Sequence, residues 1–401
     1  MKRTITLMAV CGALAQAGAY KLPEQSLNSM ALGAAYVAHT TEADTAYFNP
    51  AAMAFFKEGR HLDVAATWVH LGTIDYTAPV PMMSGSSKDE NIAVGALHYV
   101  APSIGSWRWG VSVTVPGGLS KRWDTPFQKL YAEEFTLKNI EINPVVSYRI
   151  NDALSIGGGV RVVYSEGIVK SDGGAIKPAR RHMKGDTVEW GYNVALYYRP
   201  APSWEMAVTY RSNINLKEEG KANLWLGRVG NQYDADVTVP LPAALNVAVA
   251  KTFANHVTLE AVYERTFWSK YKTLDFNYAT LAPEVFDAPI PKNWNDTDTF
   301  RVGLTWVSGA WTWMAGVAID ETPVPDKTIG FELPDSDATV YSAGVRYRYD
   351  EHLSLGAAVL YDDKKARTIA PGVADNEIIA YGGRFNNDGA LLVTLGMSYA
   401  F

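Results

Sequence analysis

Leu391-Leu392-Val393-Thr394-Leu395-Gly396-Met397-Ser398-Tyr399-Ala400-Phe401 closes the chain and decides how it folds. Successive side chains of a strand point to opposite faces. Leu391, Val393, Leu395, Met397, Tyr399 and Phe401 therefore share one face, and Thr394, Gly396, Ser398 and Ala400 the other, with Leu392 the only large exception. A soluble strand keeps its polar face wet and buries the apolar one. An apolar face that runs to an aromatic C-terminus is instead the pattern of a membrane barrel, with lipid outside and water inside.

Upstream, the same period of two recurs in fourteen runs after the first sixty residues. Two are especially regular: Val188, Trp190, Tyr192, Val194, Leu196 and Tyr198 on one face, and Trp311, Trp313, Ala315, Val317 and Ile319 on another. Each run is about ten residues, the length a tilted strand needs to cross a bilayer. The connections alternate as well. Long ones fall at 77–90, 119–136, 170–185, 217–232, 275–296, 321–338 and 362–389, and short ones between them, as at Asn151-Asp152 and 308–310. Short periplasmic turns and long external loops give this two-beat order. The pattern predicts an all-β, antiparallel transmembrane barrel of fourteen strands over 59–401. Such a barrel is too wide to fill with its own inward side chains, since about eight strands already suffice for that. A plug is needed, or the lumen is open.

The plug candidate is 18–58, which lacks the alternation, is rich in Ala and has helical character around Ser29 to Ala38. A solvated tail would expose Tyr20, Leu22, Tyr36, Tyr47, Phe48 and Phe55. Before it, 1–17 reads as a secretory signal peptide. Lys2 and Arg3 precede an apolar stretch from Ile5 to Leu14, and cleavage is expected after Ala17 or Ala19. The one cysteine, Cys11, lies in that leader, so the mature chain is expected to have no disulfide and no cysteine metal site. The formal net charge of −6 argues against a nucleic-acid surface. Mean hydropathy is near zero, as alternating strands require, and 12 Trp and 22 Tyr suit lipid headgroup belts.

Several motifs in order carry a resemblance. Tyr20-Lys21-Leu22-Pro23-Glu24-Gln25-Ser26 and Ala43-Asp44-Thr45-Ala46-Tyr47-Phe48-Asn49-Pro50-Ala51-Ala52 stand near the start. Leu97-His98-Tyr99-Val100-Ala101-Pro102, Phe267-Trp268-Ser269 and Asp320-Glu321-Thr322-Pro323-Val324-Pro325-Asp326 follow. Over nearly the whole mature chain the sequence resembles the FadL/TodX family of outer-membrane transporters for long-chain fatty acids and other hydrophobic compounds. The resemblance implies a fourteen-stranded barrel with an N-terminal hatch, passive diffusion, capture by external loops, an internal pocket, and lateral exit at an inward kink of the third strand. The expected partners are a long-chain fatty acid or similar molecule, outer-membrane lipid and lipopolysaccharide, and the barrel-insertion machinery, met through the strand ending at Phe401. A monomer without cofactor is expected.

Pro116-Gly117-Gly118 ends the third run. Proline offers no ladder donor and glycine tolerates unusual backbone geometry, so a kink is expected there. Asn49-Pro50-Ala51 is the expected gate in the hatch, and the family's logic places it opposite the kink. A buried carboxylate needs a cation. The family's positions point to Lys170 and Lys292, each about one residue off alignment, with Arg180 or Arg181 as substitutes. Charged inward positions such as Arg161, Glu260, Glu264 and Arg301 are expected to pair across the lumen and onto the hatch. Loop aromatics including Trp123, Phe127, Trp225, Phe286 and Trp294 suggest an external capture groove or an interface belt. No Gly-x-Ser-x-Gly or His-Glu-x-x-His motif occurs, and the seven His have no ligand spacing, so neither enzyme nor metal site is expected. The alternatives are uptake of monoaromatic or alkane hydrocarbons by the same fold, and a general polar-solute porin.

Overall fold

The computed structural model describes residues 18–401, and the expected leader lies outside the described residues. Fourteen antiparallel strands form a closed barrel. They are β1 His61–Leu71, β2 Glu90–Val100, β3 Trp107–Thr114, β4 Glu134–Arg149, β5 Leu154–Asp172, β6 Ala179–Ala201, β7 Trp204–Arg211, β8 Ala243–Thr252, β9 Val257–Phe267, β10 Thr297–Ser308, β11 Trp311–Asp320, β12 Ala338–Arg348, β13 Leu353–Lys364 and β14 Ala390–Ala400. Three strands have continuations: Gly118–Arg122 follows β3, Ile214–Leu226 follows β7, and Val229–Leu241 precedes β8. β1 pairs with β14 from His61↔Ala400 to Leu71↔Ala390, which closes the cylinder and leaves no sheet edge at the seam.

The C-terminal stretch takes the expected sides. Val393, Leu395, Met397, Tyr399 and Phe401 face outward and exposed, while Leu392, Thr394 and Ser398 are buried inward. Around the barrel the exposed residues are those a lipid belt requires, with Trp190 at 73% and Val188 at 63% exposure. Near the short turns, ring pairs such as Trp107 with Tyr148 and Trp311 with Tyr347, centroids 4.7 and 4.6 Å apart, form part of an aromatic girdle.

Two of the expected long connections are strand instead. β5 and β6 leave only 173–178 between them, and Ile214–Leu226 pairs with Val229–Leu241 across a tight turn. These hairpins continue the wall beyond the lipid belt. There the outward face carries exposed Lys184, Lys217, Glu219 and Lys221, so the hydropathy alternation stops while backbone pairing goes on. The stretch 119–136 likewise holds the Gly118–Arg122 strand and a helix, Pro126–Ala132.

The N-terminal segment packs on inward faces of the wall. Its first helix, α1 (Leu27–Ala31), starts at a capping box in which Ser26 and Ser29 bond each other's backbone N–H. It is shorter than the helical stretch expected from Ser29 to Ala38. A second helix, α2 (Thr45–Phe48), leads into a 3-10 turn at Pro50–Phe55. Small inward residues seat α1: a Cβ on Gly396 would lie 2.7 Å from that of Leu27, and one on Gly344 2.5 Å from that of Ala31. Glu260 accepts backbone N–H bonds from Val37, Ala38 and His39 at 2.7, 2.7 and 3.1 Å. Arg346 holds Asn28 Oδ1 at 3.0 and 3.1 Å. Inward charge is thus used to grip the segment.

Candidate functional site

The ladder between β2 and β3 is short. It runs only from Leu97↔Val113 to Val100↔Gly110, although β2 begins at Glu90. Past Thr114 the chain turns at Pro116-Gly117, and Gly118–Arg122 pairs with β4 alone, from Gly118↔Lys138 to Arg122↔Glu134. Contact with the stretch before β2 resumes at the single bridge Ser87↔Trp123. The wall therefore has an interrupted ladder between these two contacts, where the proline and glycines stand.

The freed backbone groups of β3 bond to the N-terminal segment. Leu22 N–H donates to the Pro116 carbonyl at 3.0 Å, and Gly118 N–H donates to that of Tyr20 at 2.8 Å. The Gln25 side chain donates to the Val115 carbonyl at 2.8 Å and accepts the Val115 N–H at 2.9 Å. Tyr20–Gln25 thus stands where a strand neighbour would. A Cβ at Gly117 would lie 2.6 Å from the Tyr20 carbonyl oxygen, so glycine is required for this approach.

Asn49-Pro50-Ala51 lies elsewhere. Asn49 Nδ2 bonds the Val37 carbonyl at 2.9 Å, the Ala51 carbonyl accepts Ser155 Oγ–H at 2.7 Å, and Ala51 N would be 2.5 Å from a Cβ at Gly157. The turn is seated on β5, while the groups bonded to the kink belong to Tyr20–Gln25. The motif's next residues do reach lower β3, where the Met53 and Phe56 carbonyls accept from Arg108 at 3.3 and 2.6 Å.

Above this segment is a cavity whose space, counted with the part open to solvent, is about 790 Å³. Leu119, Phe135, Leu137, Val169, Met183 and Phe276 supply much of its wall, and Tyr20 also lines it. Tyr20 donates its hydroxyl to the Pro240 carbonyl and sets its ring edge-on to Trp268, centroids 4.8 Å apart. Trp294 meets Trp268 at 5.1 Å and Tyr271 at 4.9 Å. Of the loop aromatics, Trp123, Phe286 and Trp294 are buried, and Trp123 donates to the Phe331 carbonyl at 2.8 Å. They pack as an apolar core among the external loops.

The two lysines separate. Lys292 is buried, lines the cavity and is ion-paired with Glu332. Lys170 does not line it; its Nζ lies 2.7 Å from Glu134 Oε2. On β5 the cavity takes Gly167 and Val169, so the even-numbered Lys170 belongs to the other face. One residue of register reverses a strand side chain. Arg181 is inward too, stacked 4.5 Å from the Phe276 ring centroid and donating to the Phe286 carbonyl at 2.9 Å, whereas Arg180 lies over Trp225 at 4.2 Å.

Sequence reasoning assigned no role to Glu218, another cavity residue. It lies on the Ile214–Leu226 continuation, outside the lipid belt, and accepts from Ser165 Oγ. Burial raises its pKa to about 7 against hydrogen bonds that favour the charged form. Its signal was present in the sequence: an even-numbered Glu on the same strand face as Leu216 and Ala222.

A family model, outer membrane protein transport protein (OMPP1/FadL/TodX), matches residues 8–401. The chain belongs to the OMPP1/FadL/TodX family. It is 25% identical over 453 residues to a long-chain fatty acid transport protein of Escherichia coli O6:H1, covering 99% of this chain and 98% of the relative. It is 22% identical over 411 residues to outer membrane protein P1 of Haemophilus influenzae, covering 89% and 88%. Among solved structures, a Pseudomonas aeruginosa FadL homologue superposes with TM-score 0.81 at 20% identity, over 95% of this chain and 99% of that one. The P. putida toluene transporter TodX superposes with TM-score 0.73 at 16% identity, over 94% and 98%. The chain is thus an outer-membrane barrel of a transport family, as the alternating strands imply.

Proposed function

We propose that this protein is a passive outer-membrane channel for long-chain fatty acids or similar hydrophobic molecules, and that its ligand leaves sideways through the interrupted ladder between β2 and β3. The observation that carries this reading is a single segment with two duties: Tyr20 lines the apolar cavity, and the Tyr20–Gln25 backbone occupies the kink. Moving that segment connects cavity and wall in one step. Residues 18–58 act as the hatch, with Asn49-Pro50-Ala51 as its fixed footing on β5 and Pro116-Gly117-Gly118 as the exit. The aromatic-rich external loops receive the ligand from the lipopolysaccharide side. The channel works as a monomer, delivered to the membrane by the insertion machinery that reads its last strand.

Lys292 is the cation best placed for a carboxylate, because it is the buried lysine lining the cavity. Its pairing with Glu332 favours a second reading, uptake of an uncharged hydrocarbon, since a neutralised lysine makes the cavity fit for neutral ligands. Competition distinguishes them: hexadecanoate displacing a bound fluorescent fatty acid far better than hexadecane or toluene supports the acid, and the reverse order supports the hydrocarbon. In a planar bilayer the intact protein should be nearly silent to ions. Steady conductance with no hexadecanoate binding would make it a porin instead.

A further inference from the structure

Three glycines stand side by side in the wall of the apolar cavity. Leu137, Gly167, Gly185, Gly220 and Ala235 are successive partners across four ladders, and all of them line the space. Strand packing accounts for two of the glycines. A Cβ on Gly220 would lie 2.0 Å from the Lys184 carbonyl oxygen, and one on Gly185 3.0 Å from the Glu219 backbone, so neighbouring chain crowds both. Gly167 has no such reason. The three atoms nearest to its Cβ would all belong to the Glu218 side chain, the closest at 3.5 Å, which is ordinary contact. The bare backbone at Gly167 leaves open the space in front of one carboxyl.

That carboxyl is only half satisfied. Glu218 is 3% exposed, its Oε1 accepts from Ser165 Oγ, and its Oε2 has no hydrogen-bond partner among the described residues. The Gly167 N–H acts on the carboxyl without closing a bond to Oε2. A buried oxygen left unpaired is costly unless an occupant of the cavity supplies the partner. Burial raises the pKa of Glu218 to about 7, so both charge states occur near neutral pH. A carboxylate is repelled by the ionised form, whereas a hydroxyl accepts from the protonated form and donates to the ionised one. Lys292 lines the space from a different element, the loop after Ile290-Pro291, and the next partners of Glu218 across the sheet, Val237 and Phe276, are apolar. The two polar groups therefore meet different parts of a ligand.

We infer that Glu218 and the open backbone at Gly167 form a hydroxyl-binding subsite, so that the cavity takes long-chain acids hydroxylated away from the carboxyl end. This deepens the fatty-acid reading above and rests on it, with Lys292 receiving the carboxylate. A plain chain leaves Oε2 unpaired. A chain carrying a hydroxyl at this depth satisfies Oε2 and exchanges its bond to water for one to protein. Glu218 is thus a specificity-determining residue, and Gly167 keeps its free oxygen accessible.

Competition against a bound fluorescent fatty acid tests this on the purified protein at pH 6, where Glu218 is mostly protonated. Among the 8-, 12- and 16-hydroxy derivatives of octadecanoate, at least one should bind as tightly as octadecanoate or more tightly. Glu218→Leu should lower the affinity of that derivative relative to octadecanoate about tenfold, the worth of a hydrogen bond lost from a buried group. Glu218→Gln, which keeps a polar group there, should restore the ratio. Gly167→Ala places a methyl against the Glu218 side chain and should lower the ratio as well; it carries the test if the leucine variant does not fold. If every hydroxy acid binds the native chain worse than octadecanoate, or both ligands weaken equally in the variants, the inference is overturned and the fatty-acid reading stands. Failure of octadecanoate itself to bind overturns both.

Discussion

Lys170 and Lys292 show what one residue of register decides. Both are loop-side lysines near the positions that the family resemblance indicates, yet only Lys292 lines the cavity. Lys292→Met is expected to weaken hexadecanoate binding about tenfold, as loss of one charge-assisted bond would, and Lys170→Met to leave it unchanged; titration of Trp fluorescence checks both. Glu218 adds a pH dependence. Its folded pKa is raised to about 7 by burial, so it is neutral below that pH and charged above it. A raised carboxyl contributes stability that is complete below its ordinary pKa, near 4.5, and lost as pH rises through about 7. The ionised form also repels a fatty-acid head group in the same cavity. Hexadecanoate affinity should therefore fall between pH 6 and 8, more steeply than in Glu218→Gln; identical slopes would remove Glu218 from the account. Alternation with Leu216 and Ala222 puts Glu218 on an inward face once 214–226 is known to be a strand, which the long connection expected at 217–232 conceals.

At the scale of elements, alternation reveals strands only where the two faces meet different solvents. It located β6 and β11 because lipid touches one face, and it lost the strand character of 179–185 and 217–226, where water reaches the outward face. The Pro116-Gly117-Gly118 break was legible from the missing donor and absent side chains. Its partner was not, since nothing local in Tyr20–Gln25 announces that it will stand in for a strand. That pairing is testable. Gln25→Ala removes two bonds to the Val115 backbone, each worth about 1 kcal/mol net. Hydrogen exchange at 113–118 and 20–25 should accelerate by about tenfold or more, while the β9–β10 ladder keeps its protection. Unchanged exchange at the kink would show that the segment is held by other contacts.

For the whole molecule, the hatch and the barrel are one packed object: inward glycines receive α1, and Glu260, Arg346 and Arg108 hold backbone and side chains of the segment. A route through it needs a local movement, since expelling the segment would break all of these contacts. Tyr20–Gln25 is the stretch that meets both the apolar cavity and the wall interruption, so the movement is placed there. Leu22 stands opposite Pro116 in antiparallel register, one step from the Lys21↔Gly117 bridge, the separation at which paired cysteines can be joined, and Cys11 is the only cysteine in the sequence. Hexadecanoate uptake by cells carrying Leu22→Cys with Pro116→Cys tests the central claim most directly. Uptake should stop when the pair is oxidised and return on reduction; uptake that continues unchanged with the bridge closed would contradict a route that opens by lifting this segment from the kink.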